Sequence, residues 1–260
     1  MRRNILKQRL KAGETAIGSM VQEMTTPTVA QVFKQAGFDF FMIDGEHSPY
    51  SLETAGEIIR VGRLLDMCPL MRVKGPEYDL IAGALDIGAM GIMLPRVEAP
   101  HHVETLLDCM KYPPVGHRGL SSDAPHSEYD FGPLDEFVDV NNQDTMAIVQ
   151  IERKAAIERI DELLSVPGVD VALIGPEDLS LSLGVPGQTD HPMVVEAIEK
   201  VIASAQRNGV VPGIHMGNIE LLLRWHQKGM RMIMYDSDLG FLMAASASGV
   251  SELRTGLKGR

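Results

Sequence analysis

Eight short apolar or β-branched runs, about thirty residues apart and each followed by a helical pattern, set what this 260-residue chain can fold into. They span 15–21, 38–47, 68–75, 91–97, 146–152, 169–175, 210–216 and 230–236. Strand-then-helix repetition of this kind makes parallel pairs, because each crossover needs a dozen or more residues. Several runs end in a charged or metal-capable side chain: Glu46 and His47, Arg72, Glu152, His215 and Asp236, with Asp178 just after the sixth. In a closed barrel of eight parallel strands these ends meet around one mouth. The expected fold is therefore α/β, a (β/α)8 TIM barrel, with residues 1–260 forming one domain, since no Ser/Pro/Gly-rich stretch divides the chain.

The connecting patterns predict helices at 28–36, 51–64 with Ser51 as N-cap, 78–86, 99–110, 192–208 and 219–228. Ile157, Ile160 and Leu164 form the apolar stripe of another, and Gly209 and Gly229 stand where left-handed helix stops are expected. Residues 112–145 lack periodicity and are expected to form a long loop over the mouth or against a second subunit. The tail, 248–260, is expected to fray or to pack on a partner.

A formal charge of −11 without a Lys/Arg block disfavours nucleic acid and anionic membrane as partners. No run approaches the roughly 18 apolar residues of a membrane span, and residues 1–11 lack the apolar core of a secretory signal. Cys68 and Cys109 are too few for a disulfide framework, so a reducing, cytoplasmic setting is the expectation. On so acidic a chain, a small anionic substrate needs a local positive source.

Glu152 and Asp178 close neighbouring strands, whose ends lie about 4.8 Å apart, so one cation can bridge them. Two carboxylates plus water and substrate oxygens is a common way to hold Mg²⁺ or Mn²⁺ for catalysis. Either acid alone also suits a helix start or a solvated turn. Gly175, Pro176, Glu177 and Asp178 open a short helix whose free amides suit a carboxylate or a phosphate. His47 is a proton shuttle if Asp44 orients its ring, which requires a bend after Gly45; a surface position is the plainer alternative. Arg72, flanked by apolar residues, must meet an anion, either substrate or a neighbouring carboxylate. His117, Arg118, His126 and His215 are candidates for the entrance or an acceptor pocket.

Ile43-Asp44-Gly45-Glu46-His47-Ser48-Pro49, the Arg72 strand, Asp86-Ile87-Gly88-Ala89 with Pro95, Tyr112-Pro113-Pro114-Val115-Gly116-His117-Arg118-Gly119, Gln150-Ile151-Glu152 and Gly175-Pro176-Glu177-Asp178-Leu179-Ser180 together resemble the HpcH/HpaI aldolase family. The resemblance implies a barrel of the phosphoenolpyruvate/pyruvate superfamily and a homo-oligomer, a hexamer of dimers that exchange a C-terminal helix. It implies class II aldolase chemistry, an aldehyde-lyase acting on a 4-hydroxy-2-oxo acid, pyruvate and an aldehyde. By the same motifs Glu152 and Asp178 look like metal ligands, His47 and Asp44 like the proton-transfer pair, and Arg72 like the contact to the pyruvate oxygens. The cation is open among Mg²⁺, Mn²⁺ and Co²⁺. An oxaloacetate decarboxylase or citrate-lyase-like enzyme would use the same enolate, and a non-catalytic barrel binding metal and carboxylate stands as the alternative of another kind. After Gly119 the stretch Ser121 to Asp130 departs from better-known members, which leaves the aldehyde undefined.

Overall fold

The computed structural model describes residues 3–130 and 132–258. Eight parallel strands close into a barrel in sequence order: β1 (Ala16–Val21), β2 (Phe40–Asp44), β3 (Cys68–Arg72), β4 (Gly91–Leu94), β5 (Met146–Ile151), β6 (Val171–Ile174), β7 (Val211–Met216) and β8 (Met232–Ser237). Strand side chains alternate between two faces, and two apolar cores result. Ala16, Met20, Phe40, Met42, Leu70, Met93, Met146, Ile148, Leu173 and Met234 fill the lumen. Phe41, Ile43, Ile92, Val149, Ile151, Ile174 and Ile214 face outward to the helices. Continued one step toward the strand C-termini, the lumen face carries Asp44, Arg72, Gln150, Glu152, Gly175 and His215. The apolar alternation thus delivers a polar ring at the mouth.

The outer helices are α2 (Thr28–Ala36), α3 (Leu52–Leu64), α4 (Tyr78–Asp86), α5 (Pro100–Met110), α7 (Lys154–Glu158), α8 (Ile160–Leu164), α9 (Pro176–Ser182), α10 (Pro192–Asn208) and α11 (Ile219–Gln227). Ser51 caps α3 through its hydroxyl to the Thr54 amide, and Gly209 and Gly229 have φ of +67° and +114°, the left-handed stops expected. The Ile157, Ile160 and Leu164 stripe is buried, with Arg159 dividing it between two short helices. At the far end of the barrel, α1 (Ile5–Lys11) inserts Leu6 and Leu10 into the lumen core as a plug.

Two sequence expectations are corrected. The 112–145 stretch is not irregular throughout: it holds α6 (Leu134–Asp144). This helix buries Phe137 and, one turn on, Asn141, so its inner face mixes apolar with polar and shows no stripe in sequence. Of the two outcomes expected for the tail, fraying or packing on a partner, the first is not seen among the described residues. A single helix, α12 (Asp238–Lys258), runs through it, carried by Ala244, Ala245 and Ala247, while residues 259–260 lie outside the described part. Leu242, Met243, Val250, Leu253 and Leu257 on α12 are exposed. Among the described residues no helix is long and apolar enough to cross a membrane.

Candidate active site at the barrel mouth

Asp44 and Arg72 stand opposite each other in the β2–β3 register, both facing the lumen. The fully buried Asp44 accepts two bonds from the guanidinium, Nε to Oδ1 at 2.9 Å and Nη2 to Oδ2 at 2.7 Å. Burial alone would raise the Asp44 carboxyl. The bonds and charge of Arg72, with the amides of Glu46 and His47, overcome it and hold the group below the ordinary carboxylate range. Arg72 Nη1 is held more loosely, at 3.3 Å from Glu46 Oε2 and 3.4 Å from Gln150 Oε1. Such long contacts are weak and replaceable, so Nη1 is the edge of the guanidinium free to meet a substrate oxygen.

The chain turns after Gly45, whose missing side chain lets the backbone lie close to β3: a Cβ would come 2.5 Å from the Arg72 carbonyl oxygen. The Asp44 carboxylate nevertheless reaches His47 through its backbone amide, at 3.2 Å, and not through its ring. The ring is 64% exposed, with Nε2 3.6 Å from Glu46 Oε2. The expected Asp44–His47 ring pairing is therefore not formed; Asp44 braces Arg72, and Glu46 is the carboxylate beside the imidazole.

Glu152 sits just past β5 with 3% of its surface exposed. Oε1 accepts the Arg96 amide at 2.8 Å and Oε2 accepts Gln150 Nε2 at 2.5 Å. Burial pushes the Glu152 carboxyl up to about 7, the Arg96 amide opposes, and the negative charges of Asp178 and Glu46 push further. Arg96 adopts φ +55°, a left-handed conformation uncommon for a residue with a side chain, in directing that amide at Glu152. Its Nε also lies 3.2 Å from Glu46 Oε1.

Gly175 fits against this carboxylate: a Cβ would lie 3.1 Å from Glu152 Oε2 and 3.0 Å from Gln150 Nε2. Pro176 begins α9, no side chain caps the helix, and Glu177 and Asp178 are exposed in its first turn. Pro176 itself has no N–H to offer, so the donors of this turn come from the residues after it. Among the described residues no group of three or more His, Cys, Asp or Glu gathers as a metal cluster. A cation here would thus take two protein carboxylates and leave its other positions to water and substrate.

His215 shares the lumen face and donates Nε2–H to the Asp236 carbonyl at 3.0 Å. His117, Arg118 and His126 are at the other end of this chain's barrel, a correction with a topological cause. Helix α5 starts at the mouth after β4 and runs back, so whatever follows it emerges beside the strand N-termini. There Lys111, next to them, bonds the carbonyl of Thr145, the residue before β5. His117 is exposed and pairs with Asp108; Arg118 is buried on Asp86 at 2.6 Å; His126 is buried with Nε2 3.3 Å from the Tyr112 hydroxyl, and burial pushes its pKa down to about 4. Glu46 was expected only as the charged end of its strand run, and Gln150 had no expected role. For Glu46 and Gln150 the signal was available, as each lies two residues along the same strand face from Asp44 or Glu152.

The family model for HpcH/HpaI aldolase/citrate lyase matches residues 20–245. The hydroxypyruvate/pyruvate aldolase of Roseobacter denitrificans is 32% identical over 253 residues, 97% of this chain and 98% of that protein. The 2-keto-3-deoxy-L-rhamnonate aldolase of Escherichia coli K12 is 32% identical over 210 residues, 81% of this chain and 78% of that one. Among solved structures, an HpcH/HpaI aldolase from Desulfitobacterium hafniense superposes with a TM-score of 0.93 at 32% identity, covering 96% of each chain.

Proposed function

Because the chain belongs to the HpcH/HpaI aldolase/citrate lyase family, we propose that it is a class II aldolase that cleaves or forms a 4-hydroxy-2-oxo acid from pyruvate and an aldehyde, with Glu152 and Asp178 holding a divalent cation. One observation carries the reading: Glu152 is a buried carboxylate with no cationic side chain of the described residues bonded to it, Gly175 leaves room against its Oε2, and the charge of the exposed Asp178 acts on it from the start of α9. A buried carboxylate is costly to ionise unless a cation compensates it, and the exposed Asp178 offers a second oxygen ligand, so the residues fit a divalent metal, with Mg²⁺, Mn²⁺ and Co²⁺ as the candidates. When bound, the cation supplies Lewis-acid polarisation of the 2-oxo group.

The remaining work falls to side chains. Arg72 Nη1 faces the 2-oxo oxygen, and its interaction strengthens as that oxygen gains negative charge in the enolate, which is the differential binding that lowers a barrier. Asp44 fixes the guanidinium plane through its paired bonds. Uncapped amides in the first turn of α9 suit the substrate carboxylate. His47, exposed above the mouth, takes the 4-hydroxyl proton in cleavage and returns it in synthesis, directly or through water. By the family resemblance a second copy of the chain covers α12.

Solvent deuterium exchange into the pyruvate methyl group tests this without knowledge of the aldehyde. The expected result is exchange that requires a divalent cation and stops on chelation. Exchange that survives thorough chelation overturns the metal-dependent mechanism. Oxaloacetate and a panel of aldehydes with pyruvate, run beside it, separate aldol chemistry from decarboxylation: reaction with oxaloacetate alone removes the aldolase reading.

A further inference from the structure

His215 is an imidazole on the lumen face that the steps above leave unused. Val211 and Gly213, two and four residues before it on β7, face the lumen: Val211 packs on the interior core, and a Cβ on Gly213 would meet Met232 and Val171 inside it. His215 therefore projects into the same space at the level of the mouth. The β6–β7 register pairs Ile174 with Ile214, which brings Gly175 and His215 next in line. Gly175, at the end of the strand between those of Glu152 and His215, has no side chain to stand between them at this level. The charges of Arg72 and Asp44 both act on the ring, which ties it to that mouth.

The ring's tautomer follows from its partner. A backbone carbonyl can only accept, so the 3.0 Å contact to the Asp236 oxygen makes Nε2 the protonated nitrogen. Asp236 is itself held at φ +51°, where the β1–β8 ladder shifts register between Met234 and Ser237, and its carbonyl also accepts the Ser19 hydroxyl at 3.1 Å. The anchor is thus built into barrel closure. Burial lowers the ring's pKa from the ordinary histidine value, which favours the neutral ring. Nδ1 of this half-buried ring then carries a lone pair that accepts no hydrogen bond among the described residues.

We propose that His215 Nδ1 accepts a hydrogen bond from a substrate hydroxyl and so makes the enzyme prefer hydroxylated substrates over their deoxy counterparts. The inference deepens the aldolase reading and rests on it for the reaction. The hydroxyl can come from C3 of the 2-oxo acid or from the carbon next to the aldehyde, and the two sources are separated by experiment. With glycolaldehyde fixed, kcat/KM for hydroxypyruvate is divided by that for pyruvate; with pyruvate fixed, glycolaldehyde is compared with acetaldehyde.

His215→Phe keeps a planar ring but loses both the donor toward the Asp236 carbonyl and the acceptor, and His215→Leu loses the ring as well. In each, the preference in the pair whose hydroxyl is read is expected to fall about three- to tenfold, the range of one neutral hydrogen bond. An unchanged ratio in both pairs, in variants that remain active, overturns the proposal. On unmutated protein, ¹⁵N-histidine NMR is expected to show the Nε2–H tautomer and a Nδ1 resonance that moves with hydroxypyruvate or glycolaldehyde but not with the deoxy partner. Equal movement with both members of each pair contradicts it. Should unmutated enzyme turn over none of these pairs, the aldolase reading falls, and the NMR comparison still decides whether His215 reads the hydroxyl.

Discussion

Replacing Glu152 by Gln removes a buried negative charge and nothing of comparable size, so without metal the variant is expected to be the more stable protein at alkaline pH. The Glu152 carboxyl rises from an ordinary 4.5 to about 7 on folding, a displacement that corresponds to about 3 kcal/mol. Folded protein holds more protons than unfolded protein between those two values, so stability falls as pH rises through that window and the full penalty applies above about 7. Part of the gain is lost again. Gln150 Nε2 donates to Glu152 Oε2, and its Oε1 faces Arg72 Nη1, so a new amide at 152 faces a donor that cannot turn without opposing Arg72. One unmade hydrogen bond costs about 1–2 kcal/mol and leaves a net of about 1–2 kcal/mol, or roughly 2–8 °C for a chain of this size. Thermal melts of both proteins in EDTA at pH 5 and pH 8 read it directly. The difference, variant minus parent, is expected to be near zero or negative at pH 5 and positive at pH 8. On addition of Mn²⁺ the parent is expected to rise and the variant to stay. A difference that does not grow with pH refutes the burial argument for Glu152.

Arg72→Ala leaves the fully buried Asp44 charge without its partner and is expected to lower stability by about 3–5 kcal/mol in urea unfolding, with much of this restored in Arg72→Ala/Asp44→Ala; a loss under 1 kcal/mol contradicts the ion pair. His47→Ala removes an exposed ring and is expected to change stability by less than about 0.5 kcal/mol while slowing aldol cleavage about 10²–10⁴-fold; an unaltered rate removes His47 from proton transfer. Gly175→Ala, at a φ of −101° that any residue tolerates, presses a methyl group on Glu152 Oε2; Mn²⁺ affinity by titration calorimetry is expected to fall about tenfold or more, and equal affinity refutes the close fit.

The barrel was legible because its two periods are written in side-chain size. Alternation placed Asp44, Arg72, Glu152 and His215 on one face of their strands, and a closed sheet turns that face inward. What escaped was whatever depends on which neighbour wins. Along the chain Asp44 is far nearer to His47 than to Arg72, yet a guanidinium in register offers two parallel bonds where the imidazole, beyond Gly45, turns to solvent. His117, Arg118 and His126 drew attention by residue type, but chain direction after α5 carries them to the opposite end. Helix α6 was hidden because Asn141 interrupts its buried face, and the positive φ of Arg96 has no signature in residue type at all.

The central claim is that Glu152 and Asp178 together hold one divalent cation. Anomalous diffraction from crystals soaked in Mn²⁺ above pH 7 tests it most directly. The expected result is a single strong peak within coordination distance of an oxygen from each of the two carboxylates, beside Gly175. A peak bound elsewhere, or both side chains ordered and turned apart with no peak between them, contradicts the account.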